Sequence, residues 1–223
     1  MSENTSKINK AVLIFLAVMT ALTAGVFFRF EISGKTVSLS GISVLVGLAA
    51  YFITAKTNES KHAGLDIKRF PGQLKDIKLI ILILMPTVMN LIMTVIEKAF
   101  LPEYGEFLCA RVELMLDPSQ IGNTVISLVV LALGEEIAWR AFFQKQTTKF
   151  MGFVPSLLVS SALFAVGHFT AGKPAIVAFD LAGVFINALF YGLVFKRTDN
   201  AWCSWLSHFL ANVSGVALMY YGL

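Results

Sequence analysis

Two carboxylates and two imidazoles interrupt stretches of chain that are otherwise hydrocarbon. Glu135 and Glu136 stand in an apolar run from Ile121 to Phe143, His168 closes a second apolar helix, and His208 lies within a third. A charged side chain at the centre of a bilayer costs about 3 kcal/mol or more unless it is paired or hydrated, so residues of this kind mark function by default. Acids and imidazoles brought together from separate helices can activate a water molecule.

The spacing divides these groups into roles. Glu136 and Arg140 are four residues apart and meet on one helical face, so Arg140 can hold one carboxylate ionised. Glu135 points about 100° away from that face, with Trp139 one turn below it. Adjacent acids in different surroundings can do different work. A salt bridge that only staples helices explains Glu136 and Arg140, but not Glu135. On the next helix, Phe164 and His168 share a face, and Gly167 allows a neighbouring backbone to come close. His208 and Asn212 are again four apart. An imidazole N–H beside an amide NH₂ makes a donor pair suited to an oxyanion; an interhelical polar clamp fits the same pair equally well.

Helix rise places Glu135 roughly 15 Å, His168 roughly 22 Å and His208 roughly 10 Å from the inner ends of their helices, all in the central half of a bilayer. A shared cavity follows. In it Glu135, with His168, would take a proton from water, and His208 with Asn212 would hold the negative charge that develops on an attacked peptide carbonyl. Zinc is the rival arrangement, with Glu135, His168 and His208 as ligands and a fourth position open to water. The metal-free site is preferred, because no His-Glu-x-x-His helix exists and the three ligands would come from three separate helices.

At these positions the chain resembles the intramembrane proteases that include the CAAX prenyl endopeptidases and the bacterial bacteriocin-processing and self-immunity proteins (the Abi or CPBP group). Their motifs are Glu-Glu-x-x-x-Arg, Phe-x-x-x-His and His-x-x-x-Asn/Asp, in that order on separate helices. Here they read Glu135-Glu136-Ile137-Ala138-Trp139-Arg140, Phe164-Ala165-Val166-Gly167-His168 and His208-Phe209-Leu210-Ala211-Asn212. The likeness runs from about Ile121 to the C-terminus. It implies that Glu135 and His168 activate water, that His208 and Asn212 form the oxyanion site, and that Glu136 and Arg140 support them. Family members commonly carry Phe-Arg-Gly where this chain has Trp139-Arg140-Ala141. Many are described as metalloproteases. Their substrates are prenylated C-termini, peptide leaders or membrane-bound regulators.

Such groups need a membrane-embedded scaffold, and the composition supplies one. The 223 residues are 57% hydrophobic and 14% charged, with a mean hydropathy of +0.74. A soluble domain carries about 25% charged residues. The expected class is all-α, a single polytopic helical bundle over residues 1–223 with its catalytic core at about 121–223. A spanning helix needs about 20 mostly apolar residues. Seven candidates fit: Ala11–Phe28, Val37–Ala55, Ile77–Ile96, Ile121–Gln144, Val154–Phe169, Pro174–Phe195 and Ala201–Tyr221. The short fifth and the Gly-rich second leave the count between six and eight. The first reads as an uncleaved helix rather than a secretion signal, because no small-x-small cleavage site follows it.

Loop charge sets the orientation. With the N-terminus inside, Lys7, Lys10, Lys56, Lys61, Lys68, Arg69, Lys75, Lys78, Lys145, Lys149, Lys196 and Arg197 face the cytoplasm. Arg29, Lys35, Lys98, Arg111 and Lys173 face out. The net charge of +4 is thus a topology signal and not a nucleic-acid footprint. The stretch Thr57–Lys78, which includes His62, reads either as an amphipathic hairpin on anionic headgroups or as a solvated loop. Lys98–Gln120, with Glu103, Glu106, Glu113 and Asp117, reads as an acidic outer loop. Cys109 and Cys203 fall near opposite faces and are not expected to pair. The expected protein is a prokaryotic membrane enzyme acting on a membrane-associated peptide or protein. The competing expectations are a non-catalytic immunity or scaffold protein that binds a peptide or membrane partner, and a proton-coupled transporter, for which inverted repeats are missing.

Overall fold

In the computed structural model, residues 10–32, 35–57, 64–113 and 121–221 are described. Lys7, Lys61, His62 and Asp117 lie outside them. Helix α1 (Lys10–Ala24) ends in a single 3₁₀ turn at Gly25–Phe27. A two-stranded antiparallel hairpin follows, β1 (Arg29–Ile32) and β2 (Lys35–Ser38), with Arg29 opposite Ser38 and Ile32 opposite Lys35. The remaining elements are helical: α2 (Leu39–Thr57), a single turn α3 (Phe70–Gln73), α4 (Ile77–Phe100), α5 (Tyr104–Glu113), α6 (Ile121–Glu136), a π-helical segment (Ile137–Gln144), α7 (Lys145–Met151), α8 (Phe153–Gly167), α9 (Pro174–Thr198) and α10 (Ala201–Tyr221). Among the described residues the fold is all-helical apart from that hairpin, which claims Val37 and Ser38 from the start of the expected second span.

Three of these helices are long and apolar enough to cross a membrane: Lys10–Phe27, Ile77–Phe100 and Pro174–Thr198. Leu39–Ala55 and Phe153–Gly167 are apolar but shorter. Helix α4 shows what kind of surface this is. Leu79, Ile83 and Pro86 are buried, while Ile77, Ile81, Leu84, Val88, Leu91 and Val95 are exposed. A helix apolar on its outer face as well belongs in lipid.

Local chemistry sets the helix ends. The Asp76 carboxylate accepts from the backbone N–H of Lys78 and Leu79 at the start of α4, Pro174 opens α9, and Gly152, at a φ of 77°, turns α7 into α8. These are standard N-cap, first-turn proline and left-handed glycine roles. Asp199, also left-handed at φ 45°, closes α9.

Helices α1 and α2 pack together and against the π segment and α8; α4, α9 and α10 form the other side. The main core joins α1, α2, the π segment, α8 and α9 through residues such as Met19, Ala50, Ala138, Phe142, Phe164 and Ala188. Gly47 permits the closest approach. A Cβ there would lie 2.7 Å from the Ala138 Cβ and 3.1 Å from its Cα, so α2 can touch the π segment only through a glycine.

Where it is described, the segment after α2 is docked on the bundle through buried polar contacts. Asn200, fully buried, donates to the Asp66 carbonyl and the Gln73 side chain at 2.8 Å each and accepts from the Asp66 N–H. It pins residues 64–73 onto the α9–α10 corner. The same end of the bundle carries the Lys145–Asp199 and Arg197–Asp76 ion pairs. Lys145 and Arg197, two of the basic residues expected inside, thus lie at this end. At the other end the acidic stretch contains α5, packed through Tyr104 on Phe179. Cys109 and Cys203 are both unpaired thiols.

Hydrogen bonding from the Arg197 guanidinium holds the Asp76 carboxyl below the usual carboxylate range. Its contribution to stability is therefore present above the ordinary aspartate pKa of about 4 and is lost as the pH falls through the lowered value. Asp76→Asn keeps a helix cap and removes the charge. Melting curves in detergent should show wild type above Asp76→Asn at pH 6, with the gap closing as the pH approaches 3. A gap that does not change with pH would rule out the charge as its source.

Candidate active site

The end of α6 carries Glu135 and Glu136, and immediately after them the helix widens into the π segment, where the Lys145 N–H bonds back to the Arg140 carbonyl. Such segments recur at functional positions. Every residue from Ile137 to Gln144 is buried. The carbonyl of Gln144, at the segment's end, accepts from the hydroxyls of Thr148 at 2.7 Å and Ser156 at 2.8 Å. The Gln144 side chain donates to the Gly192 carbonyl at 3.1 Å. A Cβ at Gly192 would collide with Leu157 Cδ1 and lie 2.6 Å from Gln144 Oε1, so a larger residue there would push both side chains aside.

Helix α10 is fixed against two neighbours on either side of His208. Trp205 donates to the Val129 carbonyl of α6 at 3.0 Å, and Ser207 donates to the Ile83 carbonyl of α4 at 2.7 Å. One turn further on, Asn90 of α4 donates to the Ala211 carbonyl at 2.8 Å and is itself held by Asn187 of α9 at 3.0 Å. Asparagine bridges of this kind hold membrane helices in register.

These ties place His208 between the two adjacent carboxylates. Its Nδ1 lies 3.0 Å from Glu136 Oε1, and its Nε2 lies 3.7 Å from Glu135 Oε2. Only Nδ1–H can donate to a carboxylate, so this contact fixes a proton on Nδ1 and turns Nε2 toward Glu135. The two acids differ sharply in access. The Glu136 side chain is fully buried, whereas 23% of the Glu135 side chain is exposed. Glu136 also faces Arg140, whose Nε lies 3.5 Å from its Oε2, both side chains being completely buried. Arg140 in turn donates to the Ala188 carbonyl of α9 at 3.3 Å. Its guanidinium carbon stands 4.7 Å from the centre of the Phe164 ring and 5.6 Å from that of Tyr191. Two aromatic faces near it stabilise a cation that has lost its water.

His168 stands just past the end of α8. Its Nδ1 is 2.8 Å from the Phe164 carbonyl, and its ring leans on the Phe164 ring at 4.6 Å. The same phenyl ring meets His208 edge-on at 5.7 Å. Both imidazoles thus share one neighbour, and Phe164 sits at the junction of the two. Asn212 is half-buried, one turn beyond His208 on α10. The structure therefore brings Glu135, Glu136, Arg140 and His208 into direct contact and His168 alongside through Phe164. The polar partners of His208 are the two glutamates rather than Asn212.

Sequence reading missed two contributors, both on α9: Tyr191 stacks on His208, and the Ala188 carbonyl takes Arg140. Asp180, a buried acid on the same helix, accepts from the Tyr104 hydroxyl of α5 at 2.9 Å. Asp180 could have been found by the same test that found Glu135. Tyr191 and a backbone carbonyl leave no signal in an apolar helix.

Among the described residues, no three His, Cys, Asp or Glu side chains group as metal ligands. Both nitrogens of His208 face carboxylates, and Nδ1 of His168 faces a carbonyl.

Residues 117–214 match the model of a protein family described as type II CAAX prenyl endopeptidase Rce1-like. The resemblance carried by the three motifs is thereby shown over that stretch, which contains the whole cluster. No curated protein and no solved structure matches the chain.

Removing one partner of a buried ion pair strands the other charge and costs about 3–5 kcal/mol. Arg140→Met should therefore leave Glu136 uncompensated and lower the melting temperature in detergent sharply. Arg140→Met combined with Glu136→Gln should recover much of that loss. A single variant as stable as wild type would show that the pair does not hold the helices.

Proposed function

We propose, from the family likeness over residues 117–214 and the cluster it contains, that this protein is an intramembrane endopeptidase that hydrolyses a membrane-associated peptide or protein. The observation that supports this best is His208 lying between a sealed carboxylate and an accessible one. Glu136, held by Arg140, orients the imidazole. Glu135 is the acid that solvent can reach, so it is the general base. His168, whose Nδ1 faces the Phe164 carbonyl, holds the water together with Glu135.

The reaction balances on these groups. The water oxygen bonds to the scissile carbonyl carbon while Glu135 takes its proton. The carbonyl oxygen becomes an oxyanion and accepts from the Asn212 amide and, when His208 is protonated on both nitrogens, from Nε2–H. Collapse breaks the C–N bond, and the proton held by Glu135 passes to the departing amine nitrogen. Water is consumed, and an amine and a carboxylic acid are released; the acid gives its remaining proton to solvent and leaves as the carboxylate. In this reading the base is a carboxylate and not a metal hydroxide. In this reading the membrane is that of a prokaryotic cell, with a cytoplasmic N-terminus and an outward C-terminus, an orientation supported by Lys145 and Arg197 lying at one end of the bundle.

A prenylated CAAX peptide, with purified protein in lipid nanodiscs, is the direct assay. Glu135→Gln and His168→Ala should each lower kcat/KM by about 10²–10⁴, the range of general-base contributions. Asn212→Ala should lower kcat by about 10²–10³, the scale of one lost oxyanion donor. Folded Glu135→Gln and His168→Ala proteins with full activity would overturn the assignment. Elemental analysis of the active protein should find no stoichiometric zinc; zinc that disappears in His208→Ala would replace the carboxylate base with a metal.

A further inference from the structure

The three motifs lie on α6 and its π extension, α8 and α10, yet two of their side chains are set by α9. Tyr191 is 2% exposed, and its ring stacks on His208 with centroids 4.5 Å apart and planes 18° apart. Phe164 meets the same imidazole nearly at right angles, at 5.7 Å and 75°. A histidine ring turns easily about its second side-chain torsion, where the energy wells are broad. One hydrogen bond to Glu136 fixes where Nδ1 lies but leaves the ring free to rock about that contact. A parallel ring on one face and an edge-on ring beside it remove that freedom.

The same Tyr191 ring stands 5.6 Å from the Arg140 guanidinium carbon, which also lies 4.7 Å from the Phe164 ring centre. The tyrosine therefore touches both partners of Glu136. The Tyr191 hydroxyl makes no hydrogen bond to another described residue, so its contacts at the site are those of the ring face. Helix α9 is positioned independently of these aromatic contacts. The Gly192 carbonyl is held by Gln144, and Asn187 is tied to Asn90. The tyrosine is thus mounted on a braced helix, as a positioning residue must be.

We infer that Tyr191 is the positioning residue for His208: its ring face holds the imidazole plane so that Nδ1 stays on Glu136 while Nε2 stays beside Glu135 and toward the oxyanion. This rests on the proposed hydrolysis, in which those two nitrogens have different tasks. The role belongs to the ring and not the hydroxyl. It acts on turnover and not on substrate affinity, because Tyr191 faces enzyme groups.

The test uses the full chain in nanodiscs with the same prenylated peptide. Tyr191→Leu should lower kcat about tenfold with KM changed less than about twofold, the size of one aromatic contact realised in the transition state. Tyr191→Phe should keep kcat within about twofold of wild type. If Tyr191→Leu does not fold, Tyr191→Met, flexible and similar in bulk, is expected to show the same loss in kcat. Three results would overturn the inference: wild-type kcat in the folded Leu or Met variant, a loss confined to KM, or Tyr191→Phe as damaged as Tyr191→Leu. Glu135→Gln run in parallel keeps the two claims apart. If it is inactive while Tyr191→Leu turns over normally, only the positioning role falls. If it is fully active, the base assignment falls and takes this inference with it.

Discussion

A buried positive charge holds this site together. Arg140 sits wholly inside the protein, at a depth where an unpaired guanidinium would be expelled, and Glu136 stands 3.5 Å away with no exposure of its own. Each makes the other tolerable. Once that pair exists, Glu136 cannot turn to solvent, and its remaining oxygen is available for the Nδ1 of His208 at 3.0 Å. The orientation of the imidazole, and with it the distinct position of Glu135, follows from the pair. The interaction is a staple and an orienting device at once, which is why the purely structural reading of Glu136 and Arg140 and the functional reading of Glu135 are compatible.

The surrounding helices serve that arrangement by removing slack. The π segment packs against α2 through Gly47 and is tied to α9 through Gln144. Helix α10 is held by α6 through Trp205 and by α4 through Ser207 and Asn90. These are polar contacts among apolar helices, where hydrophobic burial offers little preference for one register over another and hydrogen bonds and small residues decide it. The outer faces stay apolar, as the exposed isoleucines, leucines and valines of α4 show.

Much of this was legible in the sequence, and the limits are physical. Hydrophobic run length located α4, α9 and α10 to within a few residues, because backbone polar groups in lipid leave a long apolar segment little choice but helix. Four-residue spacing found the Glu136–Arg140 pair. What spacing could not supply was the third dimension. His208 looked like the partner of Asn212, its own helical neighbour, whereas its polar contacts come from α6, 72 positions back in the chain. The π segment was invisible because Ile137–Gln144 carries no breaker and would suit an ordinary helix. The docking of residues 64–73 hinges on Asn200, an unremarked polar residue between two spans. Tyr191 is an aromatic residue in an apolar helix, and nothing local separates it from packing.

The central claim is that His208 is locked between two carboxylates by a proton on Nδ1. Nitrogen-15 NMR of the imidazole, recorded on histidine-labelled protein in a lipid bilayer and assigned with His208→Gln, reports that proton directly. The account predicts a single His208 signal with Nδ1 protonated and hydrogen-bonded to a carboxylate, and the loss of that signature in Glu136→Gln. A His208 ring that averages between tautomers, with shifts that Glu136→Gln does not move, would contradict it.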